Sequence, residues 1–325
     1  MRTEILSITE QFLKREEIEE DEVKQIVTRF RKDIPVHKQN VEDSYREFLR
    51  SDLFQDENYK QLNRKGEIYK EDIPALIYLS FLLDKPDIKT RYDHIFVDEG
   101  QDMSYIQFLI LKYFSHNSSL TIVGDLNQQI YLQNGIGDWE ELRSLYNFKF
   151  ITLDYNYRST KEVMDLATSC LINPKYSGEG VLETGVKPIQ YVLSPKESEL
   201  TNWGNIIIEF LAVWQAKNES IAIITNSICE SEQIERNLNN LGILNTNVIR
   251  SSDSILKNDE FNIISTLQVK GLEFNHVLIF NPSKIEFPYN DYSSKLLYMA
   301  MTRALFNLVL VVTDPPTVLK DHRIS

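Results

Sequence analysis

The stretch richest in chemistry is HIFVDEGQD, residues 94–102. An apolar run with the texture of a buried strand ends in Asp98 and Glu99, with Gln101 and Asp102 close behind. In open α/β sheets ligands gather at the carboxyl ends of strands, so the side chains directly after a strand are read first. A hard cation such as magnesium takes carboxylate oxygen and keeps several waters, and phosphate chemistry also wants a second acidic group to orient the attacking water. Asp98 and Glu99 are suited to that pair of tasks. A plainer reading stands beside this one, because acidic residues after a strand also suit the positive end of a following helix.

Three further segments repeat the arrangement of strand followed by polar residues, and a fourth ends a helix. In GDLNQQIY, residues 124–131, Gly124 permits a tight exit, Asp125 can cap, and Gln128 is a neutral donor and acceptor long enough to reach a neighbouring phosphate. Tyr131 and Trp139 offer flat faces on which bases could stack, although core packing is the preferred reading for Trp139. In DYNYRSTKEV, residues 154–163, Ser159 followed by Glu162 reads as a capping box. That places Arg158 where a helix begins, with its guanidinium fork able to meet phosphate oxygens. In STLQVKGLEF, residues 265–274, Gly271 lets backbone approach a ligand, and Lys270 is either a nucleic-acid phosphate contact or an exposed cation. Arg303 closes a helical pattern in LLYMAMTRA, residues 296–304, a position that cations also favour for dipole reasons.

The elements that would position these side chains follow from periodicity. Short apolar runs alternate with helical patterns from residue 92 onward: YDHIFV, SLTIV and FKFITL, then IQYVL, SIAIIT, FNIIST, HVLIF and NLVLVV. Continuous apolar runs of this length suit strands buried on both faces of a parallel sheet. Before them, Ile5, Leu6, Ile8, Phe12 and Leu13, then Val23, Ile26, Val27 and Phe30, recur at helical steps. Further helices are expected over VEDSYREFL and EDIPALIYLSFLL, with Asp72 as a cap and Pro74 in the first turn. The segment NPKYSGEGVLETGVKP, rich in Gly and Pro, marks a boundary. The domains expected are a helical segment over 1–90, an α/β layer over 91–175, a linker over 176–188 and a second α/β layer over 189–325.

The 325 residues carry a net charge of -13, which argues against a free-standing protein that coats DNA, because nonspecific phosphate binding relies on clustered Lys and Arg. Two cysteines, Cys170 and Cys229, are too few for a disulfide framework. The acidic start and the lack of a long apolar run make the cytosol the expected location, with no membrane partner. The five histidines are scattered without metal-ligand spacing.

Taken together, VDEGQD, GDLNQQIY, LDYNYRS, VKGLEF and LYMAMTRA resemble, in order, the motifs of superfamily-one helicases of the UvrD and Rep type. Within that family, GDLNQ and the helix EDIPALIYL ahead of YDHIFVDEGQD look most like the HelD-type motors that bind RNA polymerase. The resemblance implies an α/β fold of two tandem RecA-like parallel-sheet layers, ATP and Mg2+ as ligands, and DNA or RNA polymerase as partners. It implies that Asp98 holds magnesium, Glu99 polarises the hydrolytic water and Gln128 senses the γ-phosphate. Arg158 and Arg303 would reach that phosphate, Arg303 as an arginine finger, while Gly271 and Glu273 line the nucleotide and Tyr131 and Lys270 face nucleic acid. Such fingers contribute roughly 10³ to 10⁵ in turnover.

The pattern breaks at one point. The family's phosphate loop, GxxxxGK[ST], has no counterpart among the eleven glycines, and the strand expected ahead of it is absent too. The first layer is therefore expected to be incomplete, with an unpaired edge or a substitute for the missing strand. Two functions follow. One is the C-terminal portion of an ATP-driven motor, inactive until an N-terminal motor segment supplies the loop. The other is a nonhydrolysing remnant that binds RNA polymerase or nucleic acid. The segment LQNGIGDWEEL after Tyr131 also departs from the aromatic, Arg and Gly segment of DNA-translocating relatives.

Overall fold

The computed structural model of the protein describes residues 40–51, 54, 56, 67–83, 91–130, 135–175, 178–193, 200–215, 219–250, 256–257 and 260–320. The helical patterns expected between residues 5 and 30, and Tyr131, lie outside the described residues. The described residues form two compact units, one drawn from positions up to 96 and from 104–121, the other from 97–103 and from position 122 onward.

In the first unit, helices α1 (Val41–Arg50) and α2 (Ile73–Leu83) cover the two expected segments. Asn40 caps α1 by accepting from the Glu42 amide. Asp72 is buried just before α2, where it accepts from the Tyr69 amide and the Tyr45 hydroxyl, tying the two helices' beginnings together. Helix α3 (Tyr105–Phe114) starts with a reciprocal capping box between Ser104 and Gln107. Phe81 packs against Tyr113 and Phe114 with ring centroids 4.6 and 5.7 Å apart, and such aromatic contacts supply much of a small cluster's apolar burial. Strands β1 (Ile95–Val97) and β2 (Leu120–Ile122) pair as a two-stranded sheet.

The second unit contains β3 (Tyr155–Thr160), α4 (Lys161–Ser169), β4 (Glu179–Leu182), β5 (Ile189–Val192), α5 (Leu200–Gln215), β6 (Ile221–Thr225) and α6 (Ile228–Asn240). It continues with β7 (Thr246–Ile249), β8 (Phe261–Ser265), β9 (Phe274–Phe280), α7 (Asp291–Met301), β10 (Ala304–Val312) and α8 (Thr317–Lys320). Six strands form one sheet in the order β5-β10-β9-β6-β8-β7, and every described pairing is parallel. The inner strands β6 and β8 are buried at every position, because helices cover both faces and leave no side for polar residues. One apolar cluster, including Ile224, Val277, Leu297 and Leu310, lies on one side of the sheet; another, including Ile207, Leu211, Trp214 and Val311, lies on the other.

Two sequence expectations fail here. FKFITL, read as a buried strand, has no strand pairing: Ile151 and Leu153 are 67% and 81% exposed, and the neighbouring strand is β3, one segment later, paired only with β4. An apolar run becomes a strand only where a neighbour supplies hydrogen bonds, and periodicity carries no information about that neighbour. The cap of α4 is Thr160, whose hydroxyl accepts from the Val163 amide, and not Ser159. Glu162 turns away instead to accept from the Thr184 and Gly185 amides, fastening the segment after β4. Strand β7, in the unremarkable sequence TNVI, went unread because two polar residues interrupt its apolar pattern.

Candidate functional site

Every described residue of the site lies in the second unit. The turn after β1 is built from unusual backbone. Glu99 is left-handed, with φ 51° and ψ 37°, a conformation that costs a non-glycine residue roughly 1–3 kcal/mol and persists only where surroundings over-determine it. Those surroundings are visible. The Glu99 amide donates to Asp98 Oδ1 at 2.9 Å, and the Gly100 amide donates to the Val123 carbonyl at 2.9 Å. A Cβ on Gly100 would meet Ile122 Cγ2 at 2.6 Å, so glycine is what lets this turn lie against β2. Asp98 itself is exposed at the end of the strand.

The turn after β2 mirrors it. Asp125 caps a short 3-10 turn by accepting from the Asn127 amide at 2.9 Å, and its other oxygen accepts from Gln128 Nε2 at 3.1 Å and the Tyr298 hydroxyl at 3.4 Å. Burial raises the Asp125 carboxyl above its ordinary range, opposed by those three hydrogen bonds and assisted by the nearby charge of Glu99. Trp139 is half-buried with its ring edge over both glycine turns, 3.4 Å from a Cβ built on Gly100 and 3.0 Å from one built on Gly124. That is a packing role for Trp139.

Arg303 follows α7 and is 4% exposed. Its Nε donates to the Met299 carbonyl at 3.0 Å, Nη1 to the Leu272 carbonyl at 3.2 Å, and Nη2 to Gln128 Oε1 at 2.8 Å. The helix end thus aims a guanidinium at the glutamine of the β2 turn, 175 residues away in sequence. Burial lowers the Arg303 pKa, while the charges of Glu99 and Glu273 act in the opposite sense and Arg158 adds to the lowering. Three charged groups from separate segments therefore act on the one guanidinium.

The remaining cations pair with acids. Arg158, 64% exposed at its side chain, forms an ion pair with Glu273 in the segment before β9. Lys270 is 15% exposed, not standing in solvent: its ammonium bonds Asp102 and lies 3.5 Å from Glu99 Oε2. Burial raises the Asp102 carboxyl, and the hydrogen bond and charge of Lys270 oppose the rise. Gly271 has φ 78° with open space where a Cβ would stand, so it serves the turn's conformation and leaves its backbone approachable. Sequence reading did not assign roles to Tyr298, Asp102 or Gln101, which the fold brings into this cluster. Their places inside VDEGQD and LLYMAMTRA were the only visible signal.

Among the described residues, no group of three or more His, Cys, Asp or Glu side chains is arranged to hold a metal ion, and no helix is long and apolar enough to cross a membrane.

Residues 4–135 match the UvrD/REP helicase N-terminal domain, and residues 261–311 match the UvrD-like helicase C-terminal domain. The first match starts well ahead of residue 92, where the motif-bearing stretch begins. The chain is 32% identical over 117 residues to a probable DNA helicase II homolog of Mycoplasma capricolum, a stretch that is 33% of this chain and 16% of the relative. It is 29% identical over 198 residues to the ATP-dependent DNA helicase srs2 of Schizosaccharomyces pombe, 55% of this chain and 21% of that one. Against the ATP-dependent DNA helicase PcrA of Bacillus subtilis it is 26% identical over 228 residues, 66% of this chain and 30% of the relative. The matched stretches thus span between 16% and 30% of these relatives' lengths. The acidic turn and Gln128 fall inside the first family match, and Lys270, Glu273 and Arg303 inside the second, so the chain carries UvrD/Rep-type superfamily-one helicase domains.

Proposed function

We propose that this chain is the C-terminal portion of a UvrD-like, ATP-dependent DNA helicase or translocase, supplying magnesium-binding, water-orienting and arginine-finger groups to an ATP site whose phosphate loop comes from another segment. The observation that carries this reading is the direct bond from Arg303 to Gln128, with Glu99, Glu273 and Arg158 close enough to influence the same guanidinium. Phosphoryl transfer asks for positioned cations around the transferring group and an acid to orient water, and little else from the protein.

Within this reading Glu99 orients the attacking water, Gln128 contacts the γ-phosphate, and Arg158 and Arg303 neutralise charge that develops on it. Glu273 and the turn at Gly271 border the nucleotide. Magnesium binds through one or two carboxylates with phosphates and water completing the shell, so the exposed Asp98 beside Glu99 fits without a preformed cluster. Bound there, the ion would neutralise phosphate charge. The exposed apolar side chains of Ile151 and Leu153 support the expectation of an incomplete first layer. The HelD-type branch and RNA polymerase as a partner rest on GDLNQ and EDIPALIYL, and are part of this proposal. Lys270, held by Asp102, is assigned to the acidic turn in preference to nucleic acid.

The test is ATP turnover with magnesium by the chain alone and by the chain mixed with a polypeptide that supplies a UvrD-type GxxxxGK[ST] loop and its preceding strand. Turnover is expected in the mixture only, and Glu99→Gln is expected to abolish it. Turnover by the isolated chain that is sensitive to Glu99→Gln would overturn the need for a separate loop. Silence in both arms would leave the nonhydrolysing remnant as the correct reading.

A further inference from the structure

Gln101 is completely buried, two residues after Glu99, and touches both turns of the site. Its Oε1 accepts from the Asp125 amide at 3.1 Å, and its Nε2 donates to Glu99 Oε2 at 2.5 Å. The orientation of this amide is forced: a backbone N–H can only donate, so the atom facing Asp125 must be the oxygen, and the NH2 must face the carboxylate. The Gln101 carbonyl in turn accepts from Gln129 Nε2 at 3.0 Å, and the same nitrogen donates to the Ile136 carbonyl at 2.7 Å. Gln129 is buried as well.

Two glycines leave room for this ladder of amides. A Cβ on Gly124 would collide with Gln101 Oε1, and one on Gly135 would collide with the Gln101 carbonyl and Gln129 Nε2. The space therefore accommodates one amide in one rotamer, and a fully buried amide whose two ends are both engaged has little freedom to relax.

We propose that Gln101 is a positioning residue that locks the Glu99 carboxylate to the turn carrying Asp125 and Gln128, so that the water-orienting acid and the phosphate-contacting glutamine move as one body. The strained backbone of Glu99 gives its side chain a fixed origin, and Gln101 fixes the far end. Asp125 is the pivot, since it takes the Gln101 bond on its amide and holds Gln128 on its carboxylate. This rests on the reading of Glu99 and Gln128 given above.

The test uses Gln101→Met, which removes both bonds, and Gln101→Glu, which keeps an acceptor for the Asp125 amide but places a carboxylate against Glu99. Two readouts separate this inference from the proposed function. In the isolated chain, hydrogen exchange at the Asp125 amide is expected to quicken at least about tenfold in Gln101→Met and to stay near wild type in Gln101→Glu, with Ile263 and Leu278 amides as fold controls. In the mixture with the loop-bearing polypeptide, kcat is expected to fall about tenfold to a hundredfold in both variants with KM for ATP within about twofold, the size expected of a misplaced catalytic group. Gln101→Glu alone should regain turnover as pH is lowered toward 5.5, where the introduced acid takes a proton and donates again; a merely structural role would not produce that recovery. Unchanged Asp125 exchange in Gln101→Met, or unchanged kcat in either variant, overturns the inference. If the wild-type mixture shows no turnover, the proposed function fails and the exchange result alone decides whether Gln101 locks the two turns.

Discussion

The interaction most exposed to direct measurement is the burial of Arg303. Replacing it with methionine keeps an unbranched chain of similar reach but deletes every donor. The Met299 carbonyl retains a hydrogen bond from the Thr302 hydroxyl at 3.0 Å, so it is not orphaned. Gln128 is only half-buried, and water can replace much of what it loses. The half-buried Leu272 carbonyl loses the donor at 3.2 Å, at a cost of about 1 kcal/mol, the low end for an acceptor that water can partly reach. Loss of the charge-assisted bond to Gln128, partly recovered by water, adds about 1 kcal/mol. Against this stands relief of burying a guanidinium, which is the reason its pKa is lowered. The expected net destabilisation is about 1 kcal/mol. Arg303→Lys should cost nearly as much, because one compact ammonium cannot reach the Leu272 carbonyl and Gln128 together. Urea unfolding followed by tryptophan fluorescence measures both, and a double-mutant cycle with Gln128→Leu should return a coupling of about 0.5–2 kcal/mol. If Arg303→Met is as stable as wild type and the cycle shows no coupling, desolvation dominates and the bond between the two segments contributes nothing.

Two further predictions concern pH. Burial and the neighbouring charge of Glu286 push Glu230 from 4.5 up to about 7, against the hydrogen bonds from Asn226. A raised folded-state pKa in an acid means the folded protein binds the proton more tightly than the unfolded chain, so stability is lost as pH rises from about 4.5 to about 7 and is flat above that. After discounting for partial exposure the loss is on the order of 1–2 kcal/mol, and Glu230→Gln should abolish it in thermal melts across that window. Lys270→Met removes the groups that oppose the raised Asp102 pKa, so its penalty should be largest near pH 8 and shrink as pH falls and Asp102 protonates; a pH-independent penalty in urea melts would remove electrostatics from the account of that pair.

Much of the second unit was legible from the chain itself. The runs SIAIIT, FNIIST, HVLIF and NLVLVV are mainly apolar because parallel strands buried on both faces admit polar side chains only where they are hydrogen-bonded, as Asn262 and His276 are, and all four appear as inner strands. Asp98, Glu99 and Gln128 drew attention as polar side chains soon after apolar runs, Arg158, Lys270 and Arg303 as cations beside a helix entry, a glycine turn and a helix end, and Glu273 only through the family resemblance. What the chain could not disclose was pairing. FKFITL read as a strand and YNYRST as the approach to a helix, and only the neighbour β4 decided that the second of them forms a ladder. Lys270 read equally well as solvent-exposed or ligand-bound, and a carboxylate 168 residues earlier settled its place. Gln101 carries no periodic signal at all, since its importance comes from an amide of the β2 turn and a glycine that leaves it room. Local propensity and burial pattern are encoded in near neighbours, whereas the partner of a hydrogen bond is chosen by the fold as a whole.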